Sequence, residues 1–250
     1  MRYDEAADIH VNREFLAEMK IKIRWHGHAT WEILLDQGSI LVDPFFADNP
    51  SAKFTAADVN PKWILLTHGH GDHVADCAEI AKRTKAQVIA NFEVANWMTG
   101  QGVADPIGMN LGGNFKTGFG SVKMVPAWHS SSMPDGSYGG TAAGFVIQIG
   151  DHRIWIAGDT ALFSDMNLIG EMGIDVAIVP IGDLFTMGIE DSVEAVELAN
   201  PRIVFPSHYN TWPPIQQDGA AWANEISERT EASPIVLEPG ATHEIDFSEA

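Results

Sequence analysis

Apolar residues fall in short runs along most of this chain, and the spacing between them switches between two periods. Runs over 21–25, 31–35, 40–42, 63–66 and 88–90 predict β-strands, as do 122–125, 144–149, 154–157, 176–179, 203–205 and 235–237. Between them, apolar positions three and four apart predict helices over 74–84, 92–100, 162–170, 192–200 and 219–230. Strands gather in hairpin-like groups at the start and middle, with crossover helices interspersed. That order suits an α/β sandwich of two sheets flanked by helices better than one doubly wound parallel sheet. The Gly-rich stretch 108–120 reads as a loop between elements. No Pro- or Ser-rich linker, low-complexity tract or short repeat interrupts the pattern, so one domain is expected over 19–250. Residues 1–18 are polar and acidic, with a weak helical stripe of Ile9, Val11, Phe15 and Leu16, and read as an N-terminal extension.

Composition adds a charge argument. Hydrophobic residues make up 45% of the 250, enough for a substantial core, but 34 acidic residues face only 15 basic ones. A formal net charge of -19 repels phosphate backbones and anionic lipid, so neither nucleic acid nor membrane is expected as a partner. No apolar run approaches the roughly 18–20 residues of a membrane span. Cys77 is the single cysteine, which excludes an internal disulfide framework. Asp4, Glu5 and Asp8 stand where a signal peptide needs a basic start, and a cytoplasmic location is the expectation. A homo-oligomer stays open.

The chemistry concentrates in Thr67-His68-Gly69-His70-Gly71-Asp72-His73, which joins a predicted strand to a predicted helix. In such a loop side chains can converge, and Gly69 and Gly71 are expected to supply unusual backbone angles. Imidazoles with a carboxylate suit zinc and neighbouring first-row ions. Four ligands in one loop do not all reach one ion, so others are sought at later strand ends. His129 follows the strand at 122–125, Asp159 that at 154–157 and His208 that at 203–205. Alone, each is more often a turn or cap residue than a ligand; together, after the first motif, they read as metal ligands.

The order His-x-His-x-Asp-His, His, Asp, His resembles the metallo-β-lactamase superfamily, whose fold is a four-layer αββα sandwich with metals at one edge. More narrowly, the chain from about Met19 to Gly240 resembles a bacterial family of metal-dependent hydrolases related to L-ascorbate-6-phosphate lactonase. Matching stretches include Trp25-His26-Gly27-His28-Ala29, Leu41-Val42-Asp43-Pro44-Phe45 and His129-Ser130-Ser131-Ser132. Others are Ala157-Gly158-Asp159-Thr160, Pro180-Ile181-Gly182-Asp183 with Phe185-Thr186-Met187-Gly188, and His208-Tyr209-Asn210-Thr211.

The resemblance implies one metal on His68, His70 and His129 and a second on Asp72, His73 and His208, with Asp159 bridging them. Zinc is the expected ion, with manganese or iron as alternatives. A hydroxide shared by two divalent ions would then cleave a small ester, lactone or phosphoester, with Asp72 orienting it. Related flavodiiron oxidoreductases carry Glu where His70 stands, so His70 favours hydrolysis. An iron oxidoreductase or dioxygenase and a catalytically idle metal-binding scaffold are the competing readings; the charge weighs against a nuclease.

Around this set, His28, rather than His26, is expected to act as proton donor or substrate contact. Asp43 is expected to support the His68 loop by hydrogen bonds, with a plain Asp-Pro turn as its alternative. Asp183 and Asn210 are candidates for substrate contact on the rim, and Trp128 and Trp212 for pocket walls. Ser130–Ser132 read as a hydroxyl-lined loop. Cys77 reads as core, His152 as an exposed turn residue, and His10 and His243 as outside any constellation.

Overall fold

Burial alternates along the first strand as its sequence does. In β1 (Ile21–Gly27), Ile21, Ile23 and Trp25 are buried while Lys22 stays exposed, so one face turns inward. The structure is a computed structural model describing residues 21–247; the extension expected over 1–18 and His10 lie outside the described residues. After β1 come β2 (Thr30–Leu34), β3 (Ile40–Val42), β4 (Trp63–Leu65), β5 (Gln87–Asn91) and β6 (Ile107–Met109). With β14 (Thr242–Ile245) they form a seven-stranded sheet in the order β14-β1-β2-β3-β4-β5-β6. The second sheet, β13-β12-β11-β10-β9-β8-β7, also has seven strands. Its members are β7 (Asn114–Thr117), β8 (Gly120–Pro126), β9 (Ala143–Ile149), β10 (His152–Ile156), β11 (Val176–Pro180), β12 (Ile203–Ser207) and β13 (Ser233–Pro234).

Both sheets run antiparallel in one half and parallel in the other. β3 to β6 pair parallel in the first, and β10 to β13 in the second. Parallel strands covered on both faces lose their alternation, and every residue of β4 and β11 is buried. The sheets meet through Trp31, Phe145, Ile147 and Phe205, among others. Outside the first sheet lie α2 (Cys77–Thr84) and α3 (Phe92–Gly100), packing Ile80, Val94 and Met98 on Ile64, Leu66 and Val88. Outside the second lie α4 (Met166–Gly170), α5 (Ile189–Ala199) and α6 (Gly219–Arg229), which contribute Ile169, Val193, Val196, Trp222 and Ile226 to its core. The layers are therefore α, β, β, α, as expected. Among the described residues, no helix is long and apolar enough to cross a membrane.

Several local expectations change. The helix expected over 74–84 is divided into α1 (Gly71–Val74) and α2. Asp76 sits at the division because its Oδ2 accepts the Phe46 and Ala47 N–H groups at 2.6 and 3.2 Å. The helix expected from 162 begins at Met166. The stretch 108–120 is not all loop: it holds β7 and the ends of β6 and β8, and β7–β8 is a hairpin. The strand expected at 235–237 is found at Ser233–Pro234 instead, and the short polar β14 was not expected. His152 is half-buried rather than exposed, stacked on Phe247 with ring centroids 3.7 Å apart.

Candidate metal centre

The predicted ligands follow strand ends. β1, β3 and β4 share a direction in the first sheet, as do β8, β10 and β12 in the second. His28, Asp43 and the His68–His73 loop follow the first three; His129, Asp159 and His208 follow the others. Ligands in open α/β sheets gather at such carboxyl ends. Backbone bonds tie the two sheets along this edge. The His208 N–H donates to the His28 carbonyl at 3.1 Å, and the Ala143 N–H donates to the Thr67 carbonyl at 3.0 Å. The His28 carbonyl also accepts the Trp25 indole N–H at 2.9 Å.

Left-handed backbone falls on the site residues themselves: His28 has φ 55°, Asp43 45° and His208 54°. Non-glycine residues in this region concentrate at functional sites. Gly69 and Gly71, by contrast, have no positive φ. A Cβ on Gly69 would meet Met133 Sδ at 2.5 Å and the Ser132 carbonyl oxygen at 3.1 Å, so close approach is what demands glycine there. Gly71 faces open space.

Asp43 organises the first loop. Its Oδ1 accepts the Thr67 N–H at 2.8 Å, and its Oδ2 accepts the Thr67 hydroxyl at 2.6 Å and His73 Nδ1 at 2.8 Å. The Thr67 hydroxyl, having donated to a carboxylate, can only accept from His68 Nδ1, 3.0 Å away. Both His68 and His73 therefore carry their proton on Nδ1 and turn the Nε2 lone pair towards the cluster. Carboxylates behind metal-binding histidines fix the tautomer in this way.

What lies in front of those lone pairs fits cations. His73 Nε2 is buried without a hydrogen bond of good geometry, yet Asp159 Oδ2 and Asp72 Oδ2 lie 3.4 and 3.7 Å away. A lone pair facing carboxylate oxygens in a buried site is costly unless positive charge stands between them. Burial lowers the His73 pKa, but Asp159 and Asp43 outweigh it and hold the metal-free imidazole well above its ordinary value. Asp159 is itself held well below the usual carboxylate range, because His208 and His73 overcome its burial. Its Oδ2 lies 3.0 Å from His208 Nε2 and 3.7 Å from His129 Nε2. His68 Nε2 approaches His70 Nδ1 at 2.9 Å, and both rings lie 5.1 Å from His129 between centroids. Burial first, then His73, lowers the pKa of both His68 and His70, keeping them neutral as ligands must be.

Three groups thus have donor atoms within 4.8 Å of one another: His68, His70 and His129; His28, Asp72, His73 and His208; and His68, His73 and Asp159. All seven expected ligand side chains meet in this cluster. His28 joins them, its Nε2 2.9 Å from Asp72 Oδ2 and its Nδ1 2.8 Å from the Thr211 hydroxyl. Burial and His208 lower its pKa to about 4, so the imidazole is neutral at neutral pH. Asp72 is held well below its ordinary range, the His28 hydrogen bond and His73 outweighing burial.

The remaining candidates sit further out. His26 is fully buried beside Glu32, 3.1 Å away, and does not enter the cluster. Asp183 opens a tight turn at φ 64° that presents Leu184 and Phe185 to the cleft. Asn210 binds the Gln217 N–H through Oδ1 at 2.8 Å, bracing the loop that carries Trp212. Trp212 lines the cleft; Trp128 is 68% exposed and stacks on Phe163 instead. Ser130 lines the cleft, while Ser131 donates to the Gly139 carbonyl at 2.7 Å. Cys77 is buried core. Thr67 and Thr211 were not singled out, although each adjoins a histidine motif and offers the hydroxyl an imidazole needs. Nothing local marks Phe45 or Trp97 as cleft residues.

Comparison with known proteins agrees with this geometry. Residues 39–209 match the β-lactamase superfamily domain. A UPF0173 metal-dependent hydrolase of Thermus thermophilus is 47% identical over 228 residues, covering 90% of this chain and 100% of that one. One from Enterococcus faecalis is 48% identical, covering 87% and 96%. Among solved structures, the metallo hydrolase Igni18 of Ignicoccus hospitalis superposes with a TM-score of 0.84 at 34% identity, covering 91% of this chain and 99% of that one. The shared fold, the His/Asp cluster and these relatives together place the chain in the metallo-β-lactamase superfamily, within the UPF0173 family of metal-dependent hydrolases.

Proposed function

We propose that the protein hydrolyses a small ester, lactone or phosphoester with two zinc ions, one on His68, His70 and His129 and the other on Asp72, His73 and His208. Asp159 joins the two sets. One observation carries this reading: Asp159 Oδ2 lies 3.0 to 3.7 Å from the Nε2 atoms of His208, His73 and His129, which belong to both sets. When bound, such ions make a water nucleophilic near neutral pH and polarise the oxygen of the electrophile. Asp72 would hold metal and orient the attacking water. His28 holds Asp72 Oδ2 in place through Nε2–H and is a positioning residue for it. Asp183 and Asn210 act on the substrate through the loops they shape. A single buried cysteine, Cys77, suits a reducing, cytoplasmic setting.

Elemental analysis of protein produced without metal bias, followed by turnover assays on ester, lactone and phosphodiester panels, tests the proposal. Two equivalents of zinc or manganese with chelator-sensitive turnover are expected. Stoichiometric iron without zinc or manganese would overturn it in favour of an oxidoreductase, and full metal loading with no turnover in favour of an idle scaffold.

A further inference from the structure

Two recesses meet at Asp72 and Trp212. One, of about 420 Å³, contains the metal-facing atoms and is walled by Leu184 and Phe185. The other, of about 660 Å³, leads away from Asp72 between Phe45, Ala78, Trp97 and Pro134. Both volumes lie in the range of small-molecule sites. The second recess takes no part in holding metal beyond Asp72, and nothing in the reaction accounts for it.

Its walls are chemically one-sided. Phe45, Val74, Ala75, Ala78, Pro134 and the two tryptophans are apolar, Gln101 adds one neutral amide, and Gly71 leaves the floor beside Asp72 free of any side chain. The Trp97 indole N–H is already committed to Asp135 Oδ2 at 2.8 Å, so the ring makes no polar demand on an occupant. Among the described residues lining either recess there is no Lys or Arg, and the one ionisable group outside the proposed ligands is Asp48, exposed on the second recess. Away from Asp72 and the metal charge proposed there, a negatively charged group would meet no Lys or Arg among the described lining residues and would be repelled by Asp48 and by a chain of net charge -19. An apolar group gains by leaving water.

We infer that the recess from Asp72 to Trp97 holds the uncharged, apolar acyl or aryl part of the substrate, so that the protein takes neutral hydrophobic esters or lactones and discriminates against anionic ones. The inference rests on the hydrolase reading above and narrows it. The matched relatives are named only as metal-dependent hydrolases, and a sugar-phosphate lactone, the substrate that the expected kinship to L-ascorbate-6-phosphate lactonase would suggest, is on this account a poor one.

Two measurements on the metal-loaded, full-length protein test it. In the first, p-nitrophenyl acetate, octanoate and the mono-ester of suberate are compared; the last two have the same chain length and differ in a terminal methyl or carboxylate. kcat/KM is expected to rise at least tenfold from acetate to octanoate and to fall at least tenfold again for the suberate. In the second, binding of 4-phenylbutanol, a neutral probe with no scissile bond, is followed by calorimetry and by the Trp97 indole N–H resonance. Ala78→Phe, which fills the recess, is expected to weaken the probe at least tenfold, and Trp97→Ala does the same from the opposite wall if the first variant folds poorly. Equal rates for octanoate and suberate, or probe binding that neither variant alters, would overturn the inference. The two readings fail separately. Probe binding lost in the variants, with no ester, lactone or phosphodiester hydrolysed by the wild type, would sink the hydrolase proposal and leave the recess as a site for a neutral apolar ligand. Hydrolysis indifferent to chain length, with no probe binding, would sink the inference about the recess alone.

Discussion

The two sheets repeat one plan, seven strands each among the described residues, antiparallel in one half and parallel in the other, yet they supply the candidate metal centre in opposite ways. The first places His68, His70, Asp72 and His73 in one loop after β4, with Asp43 locking two of them from β3. The second contributes one residue from each of three strand ends: His129 after β8, Asp159 after β10 and His208 after β12. A dense loop shares its load among neighbours braced by common hydrogen bonds. A lone residue at a strand end has no neighbour to take its place, so the site should be more sensitive to the second sheet than to the first.

The largest effect expected from that asymmetry is at Asp159. Asp159→Asn removes the charge facing three imidazoles and is expected to cost more than about 10³-fold in turnover, with loss of both metal equivalents. His70→Ala is expected to lower occupancy of one ion while the other stays bound. Metal content and kcat/KM measured side by side check this, and equal loss of both metals in the two variants would erase the contrast. Next comes Asp43→Asn, which loosens His68 and His73 together and is expected to weaken metal affinity by about 10–100-fold, read by competition with a chromophoric chelator.

Smaller effects belong to the scaffold. In the first sheet, Glu32 is buried, and that burial is outweighed by hydrogen bonds from His26 at 3.1 Å and Ser39 at 2.7 Å, with Arg24 also near. Its folded pKa is lowered. The stability it contributes is therefore fully present above its unfolded pKa of about 4.3 and is lost as pH falls through the folded value. Glu32→Gln is expected to cost about 2 kcal/mol at neutral pH and to flatten the acid limb of urea-melt stability. In the second sheet's helical layer, Asp218 caps α6 by accepting from the Ala220 and Ala221 N–H groups at 2.9 and 3.1 Å. Asp218→Ala is expected to cost about 1 kcal/mol in the same melts, leaving metal content unchanged.

The same asymmetry explains what could be read along the chain. His68 to His73 announce themselves because several ligand types crowd into one short, Gly-spaced loop. His129, Asp159 and His208 each resemble ordinary turn residues and become legible only beside that loop and the family pattern. The buried strands were legible because apolar runs such as 145–147 and 176–179 contain no polar residue. β14 and β7 were missed because short, half-exposed edge strands take their order from the neighbour they pair with, and composition carries little of that. The break in the helix after Val74 likewise depends on Asp76 finding Phe46 and Ala47, some 30 positions away.

By itself the sequence determined the sandwich class, the chemistry of the ligand set and the sign of the surface, since these follow from periodicity, residue type and charge. Tertiary structure decided three further things. It placed Asp43 behind both His68 and His73, so that their lone pairs point the same way. It turned His28 onto Asp72 rather than into open solvent. And it opened an apolar recess between Phe45, Ala78 and Trp97, residues that stand far apart in the chain. The physical reason is common to all three: each depends on groups brought together by sheet packing, and no local pattern encodes the direction a side chain takes once its neighbours arrive.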